Sequence, residues 1–265
     1  MTKTLIKGGT IISMDRKVGD FAKGDILVDG DKIEKIGKSI KSPGAKVVDA
    51  KGMIVMPGFV NAHLHTWQTG IRGVAGNWSI PEYLHEMHAR IAPRYTANDT
   101  YLGNLVGALN QINVGATTIF DWCHNNATSG HTDGAIKGLK ESGIRALFGH
   151  GSPKPDAKKG ALPFTHIPHP RSELERLRNG ALSDDDGMVT LAMAALGVDF
   201  STWDVVQHDF QLAKEMNLII STHVWGAPNR LNPDGYKKLN KLGLLDKRHN
   251  MVHGNYLSDD ELKII

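Results

Sequence analysis

The sequence predicts an α/β fold, a sheet of parallel strands joined by helices, preceded by a short all-β segment. Three observations predict it. The first fifty residues are short β-branched runs separated by Gly-Asp turns. From Gly52 onward, apolar strand-like runs alternate with amphipathic stretches, which is the rhythm of βα units. At 265 residues, with 40% hydrophobic and 22% charged content, the chain can bury a sizeable core, as one large domain or one and a half smaller ones.

The elements follow in order. Thr4–Met14, Asp25–Val28, Lys32–Ile36 and Lys46–Asp49 read as strands, and Val28-Asp29-Gly30-Asp31 carries an Asp-Gly hairpin signal. The second set of strands is Ile54–His65, Thr117–Trp122, Ala146–His150, Val189–Leu196, Leu218–Val224 and Asn250–His253. Between them, Leu102, Leu105, Val106, Leu109 and Ile112 repeat at helical spacing behind Thr96, with Gly115 as a stop signal. Trp203–Met216 is a second helical stretch. Ser258 and Glu261 form the pattern of a capping box that opens another helix shortly before Ile265.

Composition excludes several function classes. A formal net charge of +3, with Lys and Arg scattered among Asp and Glu, leaves no footprint for nucleic acid or an anionic membrane. The single cysteine, Cys123, rules out an internal disulfide. No apolar run approaches membrane-spanning length, and Met1-Thr2-Lys3-Thr4 leads into a strand instead of a signal segment, so the cytoplasm is the expected compartment.

The chemistry is concentrated in histidine. In Met56-Pro57-Gly58-Phe59-Val60-Asn61-Ala62-His63-Leu64-His65, an apolar strand delivers two histidines at i and i+2, on one face. Neutral imidazole is the commonest metal ligand, so this pair suits an ion. His223 and His253 also close apolar strand-like runs. Each histidine alone reads better as a hydrogen-bonded core or rim residue; the four together point to one shared metal centre. Three histidines with an oxygen ligand and a water suit zinc, with iron as the alternative. Zinc would lower the pKa of a bound water toward ~7.

These residues carry a resemblance. The chain resembles the N-terminal part of an amidohydrolase-superfamily enzyme, in the branch of cytosine deaminases, chlorohydrolases and S-adenosylhomocysteine deaminases. The likeness runs from Leu5-Ile6-Lys7-Gly8-Gly9-Thr10-Ile11-Ile12, through Pro57–His65, to Val252-His253-Gly254-Asn255-Tyr256-Leu257-Ser258. It implies a partial (β/α)₈ barrel over residues 57–265, preceded by the N-terminal strands of a small β-sandwich over 1–56. Only six of eight barrel strands are then present, so the chain reads as truncated, with an aspartate ligand expected beyond Ile265.

The resemblance also implies roles. His63, His65 and His223 are expected to hold one divalent metal, and His253 to polarise the bond under attack; direct ligation by His253 is the alternative. Binuclear members bridge two ions through a lysine or glutamate on the fourth strand, and Val189–Leu196 contains neither, so a single metal is expected. One departure matters. Many deaminases of this branch place a glutamate three residues after the fifth-strand histidine, and here that position holds Gly226. The ring-protonating acid of aminoaromatic deamination is therefore missing from its usual place.

The pocket candidates follow the strand ends. Trp67, Gln68 and Arg72 come after the first strand and Trp225 after the fifth. Indole faces suit a flat aromatic ligand, although packing under loops is an equal reading for the tryptophans and simple exposure the better one for Arg72. Asp121, Cys123, His124 and His150 lie at the ends of strands two and three. His85 and His88 share a helical face but lack a metalloprotease arrangement and are read as non-ligands. His166 and His169 belong to a proline-rich loop long enough to cap a site, and Cys123 has no base to activate it.

The expected activity is hydrolysis, by metal-activated water, of a C–N or C–Cl bond in a nitrogen-containing, heteroaromatic small molecule. The alternatives are an aminopurine or pyrimidine deaminase with a substitute acid, and a barrel scaffold without activity. The expected partner is a small-molecule substrate, with homo-oligomerisation left open.

Overall fold

The computed structural model describes residues 3–225 and 230–265. It divides into two compact units, Met1–Phe59 and Val60–Ile265. The expected boundary at 56/57 lies three residues earlier.

The first unit is a five-stranded sheet of β1 (Thr4–Ile11), β2 (Phe21–Asp29), β3 (Lys32–Gly37), β4 (Lys46–Asp49) and β5 (Ile54–Val55). β1 is central, antiparallel to β2 and parallel to both β4 and β5. Leu5, Leu27 and Ile40 bury together on one side. The buried Asp25 carboxylate accepts from the backbone N–H groups of Gly8 and Ile40, both at 2.9 Å. Residues 29 and 32 pair across the hairpin, so its two-residue loop is Gly30-Asp31 instead of Asp29-Gly30. Gly30 supplies the positive φ, +59°, that such a tight connection requires.

The long strand expected over Ile54–His65 is two strands. Pro57-Gly58 interrupts it, because proline has no N–H to give a ladder and fixes φ. Ile54–Val55 pairs in the first sheet, whereas β6 (Phe59–Leu64) belongs to the second.

That second sheet is parallel, in sequence order: β6, β7 (Ala116–Cys123), β8 (Arg145–Gly151), β9 (Val189–Ala195), β10 (Ile220–Val224) and β11 (His249–His253). It curls into a nearly closed barrel, and the Asn250 side-chain amide on β11 donates to the Ala62 carbonyl on β6 at 3.2 Å. Alternation along the strands sorts the core. Phe120, Trp122, Ala192, Ala194 and Val252 fill the concave side. Ile119, Phe148, Leu191, Met193, Ile220 and Val224 pack outward against the helices. Gly149 makes room for an interior ring, since a Cβ there would meet Phe120 Cε1 at 2.5 Å.

Capping boxes open two helices where the sequence placed them, Thr96 with Asp99 before Ala97–Asn113 and Ser258 with Glu261 before Asp259–Ile264. Helix Ala97–Asn113 presents an unexpected face. It buries Thr100, Gly103, Asn104, Gly107 and Ala108, while Leu102, Val106, Leu109 and Ile112 remain 38–52% exposed. Close approach decides this: Cβ atoms on Gly103 and Gly107 would lie 2.5 Å from the Trp67 carbonyl oxygen and from Thr69 Oγ1. Only the small-residue face can sit on the turn Thr66–Ile71, which follows β6. Among the described residues, no helix is long and apolar enough to cross a membrane.

Candidate metal centre

β6 carries His63, and His65 stands one residue past its end. Their ring centroids are 4.6 Å apart, as i and i+2 on one strand face allow. β10 brings His223, at 4.9 Å from the His63 ring and 5.2 Å from that of His65. One ring nitrogen from each of the three lies within 4.8 Å of the others. His253, the last residue of β11, sits 5.9 Å from His63 and 5.5 Å from His223 between centroids. Its φ of +79° is unusual for a non-glycine residue, a strain of the kind found at functional positions.

Burial keeps the imidazoles of His63, His65 and His223 neutral. Desolvation lowers His63 to about 4 and His65 to about 3, and it pushes His223 further down still. Neutral imidazole is the ligand form. The tautomer of His65 is fixed, because its Nδ1 lies 2.7 Å from the Trp122 carbonyl, which can only accept. Nε2 therefore keeps its lone pair. His63 Nδ1 is buried with no hydrogen-bond partner among the described residues. Three neutral imidazoles, one of them with an orphaned nitrogen, fit a divalent metal.

A cavity of about 280 Å³ opens over the four histidines. His88, His124 and Lys154 complete its polar lining, and Ile80, Tyr83, Leu84, Phe164, Leu196, Phe200 and Trp225 form its walls. Trp225 thus stands where the sequence placed it. Its backbone N–H donates to the Asp199 carboxylate, and its ring meets Phe200 edge-on at 5.3 Å.

Six other pocket candidates lie outside that cavity. Trp67 is fully buried and donates its indole N–H to His124 Nδ1 at 3.0 Å, because its turn packs inward beneath helix Ala97–Asn113. Gln68 donates to the Tyr83 hydroxyl at 2.8 Å, and Tyr83 is the residue that reaches the cavity. His150 is buried against His169, with Nδ1 and Nε2 2.9 Å apart. Arg72 is exposed. Asp121 is buried, accepting from the Thr66 N–H and the Asn104 amide at 3.1 and 2.6 Å. Cys123 is buried too, with its thiol pushed well up by desolvation. Gly226 lies outside the described residues.

Sequence reasoning read His88 only as a non-ligand and did not name Lys154. His88 stacks edge-on to His124 with centroids 4.3 Å apart. The signal was available, since Ile80, Leu84 and His88 repeat at intervals of four, one face of a helical stretch. Lys154 lies in the irregular loop after β8 and had no periodic signal.

Comparisons with known proteins show what the chain is similar to. The chain is 27% identical, over 98% of its length, to a 5-methylthioadenosine/S-adenosylhomocysteine deaminase of Caldicellulosiruptor saccharolyticus, of which it covers 59%. It is 34% identical, over 57% of its length, to a 5'-deoxyadenosine deaminase of Methanosarcina mazei, covering 34% of that protein. Among solved structures, an atrazine chlorohydrolase from Arthrobacter aurescens in complex with zinc superposes with a TM-score of 0.82 at 21% identity, over 98% of this chain and 63% of the other. The chain thus spans no more than about three fifths of these relatives. Residues 54–265 match the amidohydrolase family, and the chain belongs to that family.

Proposed function

We propose that this chain belongs to a single-metal hydrolase that cleaves a C–N or C–Cl bond of a planar nitrogen heterocycle. The observation that carries the reading is the convergence of His63, His65 and His223, neutral and within 4.8 Å, at the strand ends beneath an aromatic-walled cavity. A divalent metal held there, zinc foremost and iron as the alternative, supplies an acidified water as nucleophile. A single ion is the better reading because β9, with the sequence Val-Thr-Leu-Ala-Met-Ala-Ala, has no side chain able to bridge two.

The chain's own residues do the rest. His65 is held in its ligating tautomer by the Trp122 carbonyl. The His253 imidazole, at the cavity wall, donates a hydrogen bond to the atom that gains charge. Tyr83, Phe164, Phe200 and Trp225 sandwich the ring and exclude water.

Deamination of an adenosine-type substrate is the second reading, favoured by the activities named for the relatives. Gly226 weighs against it, since glycine cannot protonate a ring nitrogen. The test is a panel of chlorotriazines, aminopurines and aminopyrimidines on metal-loaded full-length protein, assayed for halide and ammonia release. Turnover of chlorinated rings above that of aminopurines supports the first reading; efficient aminopurine deamination supports the second. No turnover, together with less than about half an equivalent of metal, would leave an inactive scaffold.

A further inference from the structure

Among the described residues, the cavity has one lysine or arginine, Lys154, and no carboxylate. The Lys154 side chain is only partly accessible, and no hydrogen bond or ion pair offsets its desolvation among those residues. Its ammonium lies 5.0 Å from the centre of the Trp122 ring, whose π face attracts a cation without neutralising it. Pro153 and Pro155 flank it, so the backbone that carries the ammonium is stiff and extended. Burial brings Lys154 down to about 8, which leaves it charged at neutral pH. Among the described residues this stiffly held, solvent-poor cation faces imidazoles and aromatic rings and has no acceptor, and a ligand can provide one.

We propose that Lys154 is the anion-binding residue of this cavity, and that the substrate is a planar ring bearing one negative charge, as a carboxylate or an ionised ring oxygen. The walls set the planarity: Tyr83, Phe164, Phe200 and Trp225 present ring faces and edges. The single charge follows from there being, among the described residues, one ammonium and no arginine in the lining, because a phosphate dianion calls for more donors. The inference rests on the cavity being the substrate site of the proposed hydrolase, and it narrows the heterocycles that site accepts.

Nicotinate and nicotinamide are planar heterocycles of nearly equal shape that differ in this one charge. On metal-loaded full-length protein, titration calorimetry at pH 7 should show nicotinate binding at least ~10-fold tighter than nicotinamide. Lys154→Met and Lys154→Gln should each reduce that preference to about onefold, and Lys154→Arg should keep most of it. Two neutral variants guard against a fault peculiar to one side chain, and thermal melts establish that each is folded. No measurable nicotinate binding, no preference in the parent protein, or a preference that survives both neutral variants, as coordination by the metal alone would give, overturns the proposal. A Lys154-dependent preference in a protein without hydrolytic turnover would sink the hydrolase reading and leave anion binding standing.

Discussion

His65 and Trp122 are joined by a hydrogen bond of 2.7 Å, from the imidazole Nδ1–H to the backbone carbonyl. One strand's main chain thereby decides which nitrogen of a histidine on the neighbouring strand is free to bind a metal. Because Trp122 is fully buried on the concave side of the barrel, that carbonyl cannot drift. The orientation of His65 is built into the sheet before any ion arrives.

Loss of any one of His63, His65 or His223 should remove the metal. Each alanine variant is expected to hold less than ~0.1 equivalent after dialysis, by elemental analysis. His253→Asn should keep its metal and lose ~10²-fold in kcat, because a group that polarises the substrate acts in the transition state. Metal loss in His253→Asn equal to that of His223→Ala would make His253 a ligand.

Asp121 is expected to position the centre without touching it. Its carboxylate receives the Thr66 N–H, immediately after His65, and the Asn104 amide of the packed helix. Asp121→Ala leaves both donors buried and unpaired, a loss of about 2–4 kcal/mol in stability. It should also weaken metal affinity ~10-fold through the displaced His65. Melting curves and competitive chelation measure the two effects, and unchanged metal affinity would separate Asp121 from the site.

Gly103→Ala should destabilise the protein by about 1–3 kcal/mol, even though alanine is the better helix former by about 1 kcal/mol. The added methyl meets the Trp67 carbonyl oxygen at 2.5 Å and must push the turn Thr66–Ile71 away from the helix. A melting temperature at or above that of the parent would show that the helix can shift freely.

Stability should fall as the solution is acidified from pH 7 to pH 5. Desolvation holds His150 at about 4 and His169 well below its ordinary value, so the unfolded chain takes up protons that the native state refuses. Their contribution is complete above ~6.5 and is lost as the pH drops toward the folded values; at pH 5, His150 alone accounts for about 2 kcal/mol. Asp121 opposes this. Burial raises it to about 6, so its ionisation penalises the folded state more as the pH rises through 6, and acidification to pH 5 returns about 1 kcal/mol. The histidines win. The melting temperature of metal-depleted protein should drop by roughly 5–10 °C between pH 7 and pH 5, and His150→Gln should flatten that slope.

The α/β class, the order of the parallel strands and the clustering of His63, His65 and His223 were legible in the sequence by itself. Apolar strand-like runs alternating with helical stretches specify a parallel sheet, and His63 and His65 at i and i+2 share a face because strand geometry is local. The convergence of His223 on that pair could be inferred because it too closes a strand, and parallel strands place their C-terminal ends on one rim. Only the tertiary structure decided the rest of the pocket. Trp67 points into the core and not the cavity because the glycine face of Ala97–Asn113 admits the turn that carries it, a contact between segments thirty-six residues apart. Lys154 has no period at all. Its place depends on how an irregular loop folds over a sheet, and loop conformation is set by long-range packing instead of by local pattern.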